Sequence, residues 1–331
     1  MQNGEWNIEK LLPVNSKIEF LYIQQGRLNH PPLIQQVLAL NTNTFHTCTR
    51  CAPNMLSLKM KHQEFEPPEE LRDTIKCFWH NRGDFGEQQS VFEVQPDGYA
   101  EIIFYFGTLY SISYNGGSQP LPSPFIMGLL NHPAHFSTKN RLEIIGIRCF
   151  PWTVFDLLGM PSGKGGMHIF EHPVARLQST LEKWVLADRI DGALAEIKQY
   201  FLNSPSQNAP SSMLVKAGIA MSEANGAMPV SQVAAAAHAT VRTLERNFKQ
   251  SSGYTVKDVS ALMRFEQARN QLWHYPECSL AGLAHELGYT DQSHLSKEFR
   301  RYSGTTPAAF ARKAKKRKQA VSNDFITLIQ A

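Results

Sequence analysis

The sequence predicts a two-domain α+β chain. Its N-terminal domain is a small antiparallel β-barrel or sandwich with flanking helices. Its C-terminal part is all-α, two helix-turn-helix units joined by a long linker helix. Three observations predict this. Between 57 and 165, short runs rich in Ile, Phe, Val and Tyr alternate with turn residues such as Pro96-Asp97-Gly98 and Asn115-Gly116, the spacing of an all-β unit. From 213 to 315 the apolar residues recur at helical spacing instead. Between these parts NSPSQNAPSS (203–212) has the composition of a linker. The expected organisation is an extension over 1–56, the β-rich domain over 57–165, a helical segment over 166–203, a linker over 204–212, the double unit over 213–315 and a basic tail over 316–331.

Taken in order, residues 1–56 keep no sustained period, and only LIQQVLAL (33–40) reads as a short helix. HTCTRC (46–51) carries His46, Cys48 and Cys51, but a zinc site needs four ligands and no second pair follows. SLKMKHQEF (57–65) alternates as a strand does, and EELRDTIKCFWHN (69–81) begins helical and ends apolar. SVFEVQPDGYAEIIFYFG (90–107) is two apolar runs around a turn, and YSISYNGGS (110–118) alternates into a hairpin signal. FIMGLL (125–130), HFSTKN (135–140) and LEIIGIRCF (142–150) continue the strands, and Pro151 opens a helix over 151–160. In 169–203, Leu177, Leu181, Trp184 and Val185 share one helical face; Leu194, Ile197 and Phe201 share another after a break near Asp191-Gly192. These faces suit packing on their own domain.

The most informative stretch is SLAGLAHELGYTDQSHLSKEFRRYS (279–303). Ser279 suits an N-cap, Leu280, Leu283, Ala284 and Leu287 form an apolar face, and Gly288 supplies the positive φ of a tight turn. Asp291 opens a second helix in which Leu295, Phe299 and Tyr302 point one way and Gln292, Ser293, His294, Lys297, Arg300 and Arg301 the other. In GTTPAAFARK (304–313), Gly304 ends that helix, Thr306 caps the next and Pro307 takes its first position. A matching unit lies at 230–250: Ala234, His238, Leu244 and Phe248 stand where Ala284, Gly288, Leu295 and Phe299 stand later. Histidine at the turn is tolerable, since it accepts positive φ better than most residues with a β-carbon.

Two such units joined by a long helix (256–274) resemble the DNA-binding domain of AraC/XylS-type transcription regulators, over roughly 210–315. The segment 66–165 resembles the cupin-like sensing domain found ahead of that type, through Phe78-Trp79, Pro96-Asp97-Gly98 and GIRCFP (146–151). The resemblance implies a regulator, with activation favoured. It implies double-stranded DNA as partner, a small-molecule effector of unknown identity, and RNA polymerase contact and homodimerisation as further options.

Charge agrees with a nucleic-acid partner. Residues 211–318 hold 16 Lys/Arg against 8 Asp/Glu, about +8, whereas the whole chain of 331 residues carries +4. Much of the excess is RKAKKRK at 312–318. In the DNA reading, Arg242 and Arg246 donate forked pairs to guanine, Glu245 accepts from cytosine, and Gln292 pairs with adenine beside Ser293 and His294. Lys297 reaches a base or a phosphate, and Lys249, Arg300 and Arg301 hold phosphates. Leu244, Phe248, Leu295 and Phe299 are core. The two reading helices would face grooves about 34 Å apart.

Other classes find less support. GMPSGKGG (159–166) misses the phosphate-loop spacing, and no GxSxG or HExxH occurs. The pairs His132/His135 and His168/His172 sit beside prolines and read as polar turns. No catalytic residue, metal or cofactor is expected. No run of about 18 apolar residues occurs, no signal peptide is expected, and five irregularly spaced cysteines point to a reducing cytoplasm. The competing readings are a metabolite enzyme with autoregulatory DNA binding and a non-specific architectural DNA binder. Phe104, Tyr105, Phe106, Trp152 and Phe155 fit either a ligand pocket or plain packing.

Overall fold

The computed structural model describes residues 46–47, 61–112, 117–163, 166–203 and 211–316. Eleven strands among them form two antiparallel sheets: β1 (His46–Thr47), β2 (Lys61–Phe65), β3 (Ile75–Asp84), β4 (Ser90–Val94), β5 (Ala100–Phe106), β6 (Tyr110–Ile112), β7 (Ser118–Pro120), β8 (Phe125–Met127), β9 (Ala134–Thr138), β10 (Arg141–Cys149) and β11 (Met167–His168). One sheet has the order β1-β4-β9-β6-β7 and the other β11-β8-β5-β10-β3-β2. The β-rich domain is therefore a sandwich, not a closed barrel.

The six-stranded sheet is apolar on both faces, because each face has a cover. Residues alternate sides along a strand. In β10, Leu142 and Ile144 join Trp79, Ile103, Phe125, Phe92 and Phe136 in the core between the sheets. Ile145 and Ile147 join Phe78, Ile102, Phe104 and Phe106 in a second core on the other face. That face is covered by α1 (Val154–Leu157), α2 (Gln178–Leu186) and α3 (Ile190–Asn203) through Phe155, Leu181, Val185, Leu194, Ile197 and Phe201. So the apolar faces of 169–203 pack on their own domain, and Phe104, Phe106 and Phe155 are packing residues. Tyr105 is half-buried, and its hydroxyl donates to the Leu121 carbonyl.

Three local expectations change. The helical start expected over 69–81 is a single 3₁₀ turn, Glu69–Leu71. Strand β3 then takes over from Ile75, paired on both sides by β2 and β10; the aromatic and apolar run fits a doubly covered strand better than a helix. The helix expected over 151–160 is α-helical only at Val154–Leu157 and stops before Gly159, whose φ is +60°. The break near Asp191-Gly192 falls earlier, at Asp188 with φ +56°; Gly192 lies inside α3, where a β-carbon would sit 2.6 Å from the Trp184 ring. The turn Asn115-Gly116, the linker core 204–210, the helix expected at 33–40 and Cys48 and Cys51 lie outside the described residues.

The C-terminal part contains α4 (Ser212–Glu223), α5 (Val230–Ala236), α6 (Val241–Ser252), α7 (Val256–His274), α8 (Leu280–Glu286) and α9 (Gln292–Ser303), followed by a helical run over 307–316. Its core gathers Leu214, Met221, Leu244, Phe248, Phe265, Leu283, Leu295 and Phe299, and it takes in Leu129 and Trp152 from the β-rich domain. The two parts also meet through charge. Arg148 is fully buried; its Nε donates to Glu101 at 2.9 Å and its Nη2 to Asp97 at 2.8 Å. Arg269 of α7 donates to the Pro96 carbonyl at 3.1 Å, and the buried Glu266 lies beside Gly98. Among the described residues no helix is long and apolar enough to cross a membrane.

Candidate nucleic-acid interface

Each helix of the interface is delimited by its own sequence. Thr240 caps α6, its Oγ1 accepting from the Thr243 N–H, and Gly253 ends it at φ +79°. Asp291 caps α9 by accepting from the His294 N–H at 2.7 Å, and Gly304 ends it at φ +69°. Ser279 accepts from Gly282 at the start of α8, and Thr306 accepts from Ala309 at the start of the last helical run. The long α7 opens on a capping box between Thr255 and Asp258. At the two tight turns His238 takes φ +53° and Gly288 takes φ +72°, so the histidine adopts the backbone that the glycine adopts in the other unit. Replacing Asp291 by Ala removes the cap of α9 and is expected to lower stability by about 1 kcal/mol. Thermal melts of Asp291→Ala and Asp291→Asn check this, since Asn retains a capping oxygen.

Leu244 and Phe248 in α6, and Leu295 and Phe299 in α9, are fully buried. That fixes the opposite face of each helix outward. Arg242, Arg246 and Lys249 are exposed on α6; Gln292, Ser293, His294, Lys297, Arg300 and Arg301 are exposed on α9. Among the described residues, none of these lysines and arginines forms a salt bridge, whereas Arg264 is paired with Glu298 and Lys315 with Glu277. Arg301 lies over the Tyr302 ring at 5.2 Å. His294 is braced by the Tyr289 ring, 5.3 Å away and edge-on, and its Nδ1 accepts from the Thr290 N–H at 3.4 Å.

Glu245 behaves differently. Its Oε2 accepts from the Val256 N–H at 3.2 Å, so this carboxylate serves the first turn of α7, where a helix leaves N–H groups without partners and favours negative charge. Spacing alone put it on the reading face; the fold of the 253–255 turn brings a backbone donor to it. Sequence reading also passed over Val241. It is 43% exposed at the first position of α6, an apolar, β-branched residue in water beside Arg242.

The enzyme and metal candidates scatter. His135 pairs with Glu93 at 3.0 Å, and His172 Nδ1 accepts from the Val174 N–H. Ser162 of the glycine-rich 159–166 stretch donates to the Gln250 carbonyl, while Lys164 and Gly165 lie outside the described residues. Among the described residues no three His, Cys, Asp or Glu side chains gather as a metal site.

Comparison with known proteins bears on this geometry directly. A family model described as a helix-turn-helix domain matches residues 233–313, the stretch from α5 through α9 into the last helical run. These residues are an AraC-type helix-turn-helix domain. A second family model, for a domain of unknown function, matches 63–165. The HTH-type transcriptional regulator RipA of Corynebacterium glutamicum is 35% identical over 71 residues, 22% of this chain and 21% of that protein. The chain thus spans about a fifth of the curated relative it matches. Among solved structures, ToxT from Vibrio cholerae covers 71% of this chain and 97% of its own at 12% identity and a TM-score of 0.38. The DNA-binding domain of AdpA, solved with a target DNA, covers 33% of this chain and 96% of its own at 24% identity and a TM-score of 0.30. The sequence match over 233–313 and the capped, charge-bearing helices α5 through α9 agree on the helix-turn-helix domain.

Proposed function

We propose that the chain is a cytoplasmic, sequence-specific transcription regulator, not an enzyme, that reads two successive major grooves with α6 and α9. A small ligand or a partner protein received by the β-rich domain controls it, and activation is the favoured outcome. The observation that carries the DNA reading is the free charge on the two repeated helices. Arg242, Arg246, Lys249, Lys297, Arg300 and Arg301 stand exposed and, among the described residues, without acidic partners, which is how a phosphate-binding surface differs from a solvated, self-paired one. Arg242 and Arg246 read guanine, Gln292 reads adenine with Ser293 and His294 beside it, and Lys297 touches a base or a phosphate. Lys249, Arg300 and Arg301 hold phosphates. Val241 joins this set as an apolar contact for a thymine methyl group. Glu245 leaves it, because its carboxylate is engaged at the start of α7.

The test is selection of bound sites from random DNA by the full chain at physiological salt, repeated with Arg246→Ala and Gln292→Ala. Two boxes about one helical turn apart are expected, and each substitution should relax a different box by about 1–3 kcal/mol of base discrimination. Salt-sensitive binding with no motif would instead favour the architectural reading. Loss of all binding on removal of 312–331 would place that binding in the basic tail.

A further inference from the structure

Residues 150–162 belong to both halves of the molecule. Val154, Phe155 and Leu158 are buried in the core between the six-stranded sheet and its covering helices. Trp152, two residues earlier, is buried in the core of the helical part. It stacks on Phe150 at 5.3 Å and packs against Phe248 of α6 at 5.4 Å. On its other side it fills the space over Gly218 of α4, where a β-carbon would fall 1.9 Å from its ring.

The polar contacts of this segment converge on the C-terminal half of α6. The Ser251 hydroxyl lies 2.5 Å from the Trp152 carbonyl and 2.8 Å from the Asp156 carboxylate, either of which can accept its hydrogen bond. Ser162 donates to the Gln250 carbonyl at 2.7 Å. Just beyond α6, the Tyr254 hydroxyl donates to the Leu129 carbonyl at 2.8 Å. The β-rich domain holds α7 separately, through the 96–98 turn and Arg269. The supports of α9 come from the helical part: Phe299 against Phe265 and Phe310, Tyr302 against Phe265, and Glu298 against Arg264. Among the described residues no hydrogen bond, ion pair or ring contact joins α8 or α9 to the β-rich domain.

We propose that the 150–162 segment, through Trp152, is the positioning element of the first reading helix and of that helix alone. The seating of α6 depends on the β-rich domain, while α9 is seated by its own module. A repacking of the sheet–helix core around Phe155 therefore reaches α6 through the four-residue helix α1 and changes the first box without changing the second. Two discrete packings of one short element, biased from inside a core, are what such coupling requires. This rests on the reading of α6 and α9 as base-reading helices.

The test uses the full chain as wild type, Trp152→Ala, Trp152→Phe and Gly218→Ala, with random-site selection and amide hydrogen exchange. Trp152→Ala is expected to flatten base preference in the α6 box by about tenfold, the effect of losing one good base contact, and to leave the α9 box unchanged. Exchange protection should fall over 244–252 and hold over 295–303. Trp152→Phe, which keeps a ring against Phe248, should restore most of both. Gly218→Ala attacks the same seat from α4 and should give the same one-sided pattern, so the question is answered even if Trp152→Ala fails to fold. Loss in both boxes with protection lost in both helices would reduce Trp152 to an ordinary core residue and overturn the proposal. No change in either box or in protection would overturn it too. A wild type with no two-box motif would refute the base-reading premise instead; exchange then decides the seating by itself, one-sided loss sustaining it and uniform loss ending it.

Discussion

Arg148→Met is expected to destabilise the fold by roughly 3–5 kcal/mol at neutral pH, the cost of breaking a buried ion pair from one side. Arg148 is fully buried; it donates to Glu101 and Asp97, and its guanidinium lies 4.9 Å over the Tyr99 ring. Methionine fills much of the volume but leaves two carboxylates facing each other, with Glu266 of α7 close by. Burial holds the Glu101 carboxyl above its ordinary value even with Arg148 opposing it, and burial, with Asp97 adding, does the same for Glu266. A carboxyl whose folded-state pKa is raised binds its proton more tightly folded than unfolded, so its contribution improves as pH falls. Removing Arg148 enlarges that effect. The deficit of the variant should therefore be widest at pH 7–8 and narrow as pH falls toward 4.5, the ordinary value. Below that both proteins lose a further, shared contribution, that of Glu143, which lowers both stabilities without changing the deficit. Burial alone would raise Glu143, but hydrogen bonds from His80, Arg141 and Arg82 bring it down to about 2. Its stabilisation is present above 4.5 and is lost between there and 2 in both proteins. Urea melts at pH 7.5 and pH 5 decide the matter; equal deficits at the two values would show that the carboxylates around Arg148 do not feel burial.

The parts of this molecule that were legible in sequence are those in which neighbours along the chain determine the structure. Ser279, Gly288, Asp291, Gly304 and Thr306 each act within four residues of themselves, and the helices they delimit lie where periodicity puts them. Leu244, Phe248, Leu295 and Phe299 are buried because spacing at 3.6 residues fixes a face. The β-rich domain was legible as strands and as either a barrel or a sandwich, but the choice between the two was not. Whether a set of strands closes depends on pairings such as β5 with β10, some 40 residues apart, and no local pattern encodes them. Residues 69–81 misled because an acidic first turn looks helical, while the decision is made by β2 and β10 on either side. In the interface, Glu245 lay on the right face by spacing and was claimed by a backbone N–H that only the fold brings near. Trp152 and Asp97 gave no signal of an interdomain role, since a buried tryptophan and a turn aspartate look alike in any domain.

Phe299→Ala and Arg300→Ala, adjacent substitutions in α9, are expected to have opposite effects. Phe299 is fully buried, with its ring 5.2 Å from that of Phe265 and 5.5 Å from that of Phe310. Truncating it removes the transfer energy of a large ring and leaves a cavity where α7, α9 and the last helical run meet, a loss of about 3–5 kcal/mol. Against a typical total of roughly 5–15 kcal/mol, that is enough to leave the second unit partly unfolded at growth temperature. Arg300 is exposed and forms no salt bridge among the described residues, so its loss should change stability by less than about 0.5 kcal/mol. Its effect should appear on DNA. In the proposed reading Arg300 is a phosphate contact that displaces one counterion, and Arg300→Ala should lower the salt dependence of binding by about one unit of slope without altering the selected motif. Thermal melts and affinities between low and physiological salt separate the two cases. If Arg300→Ala changed the motif itself, α9 would enter the groove further along its length than its N-terminal residues, and the assignment of Gln292, Ser293 and His294 as the base readers would have to move toward Lys297 and Arg301.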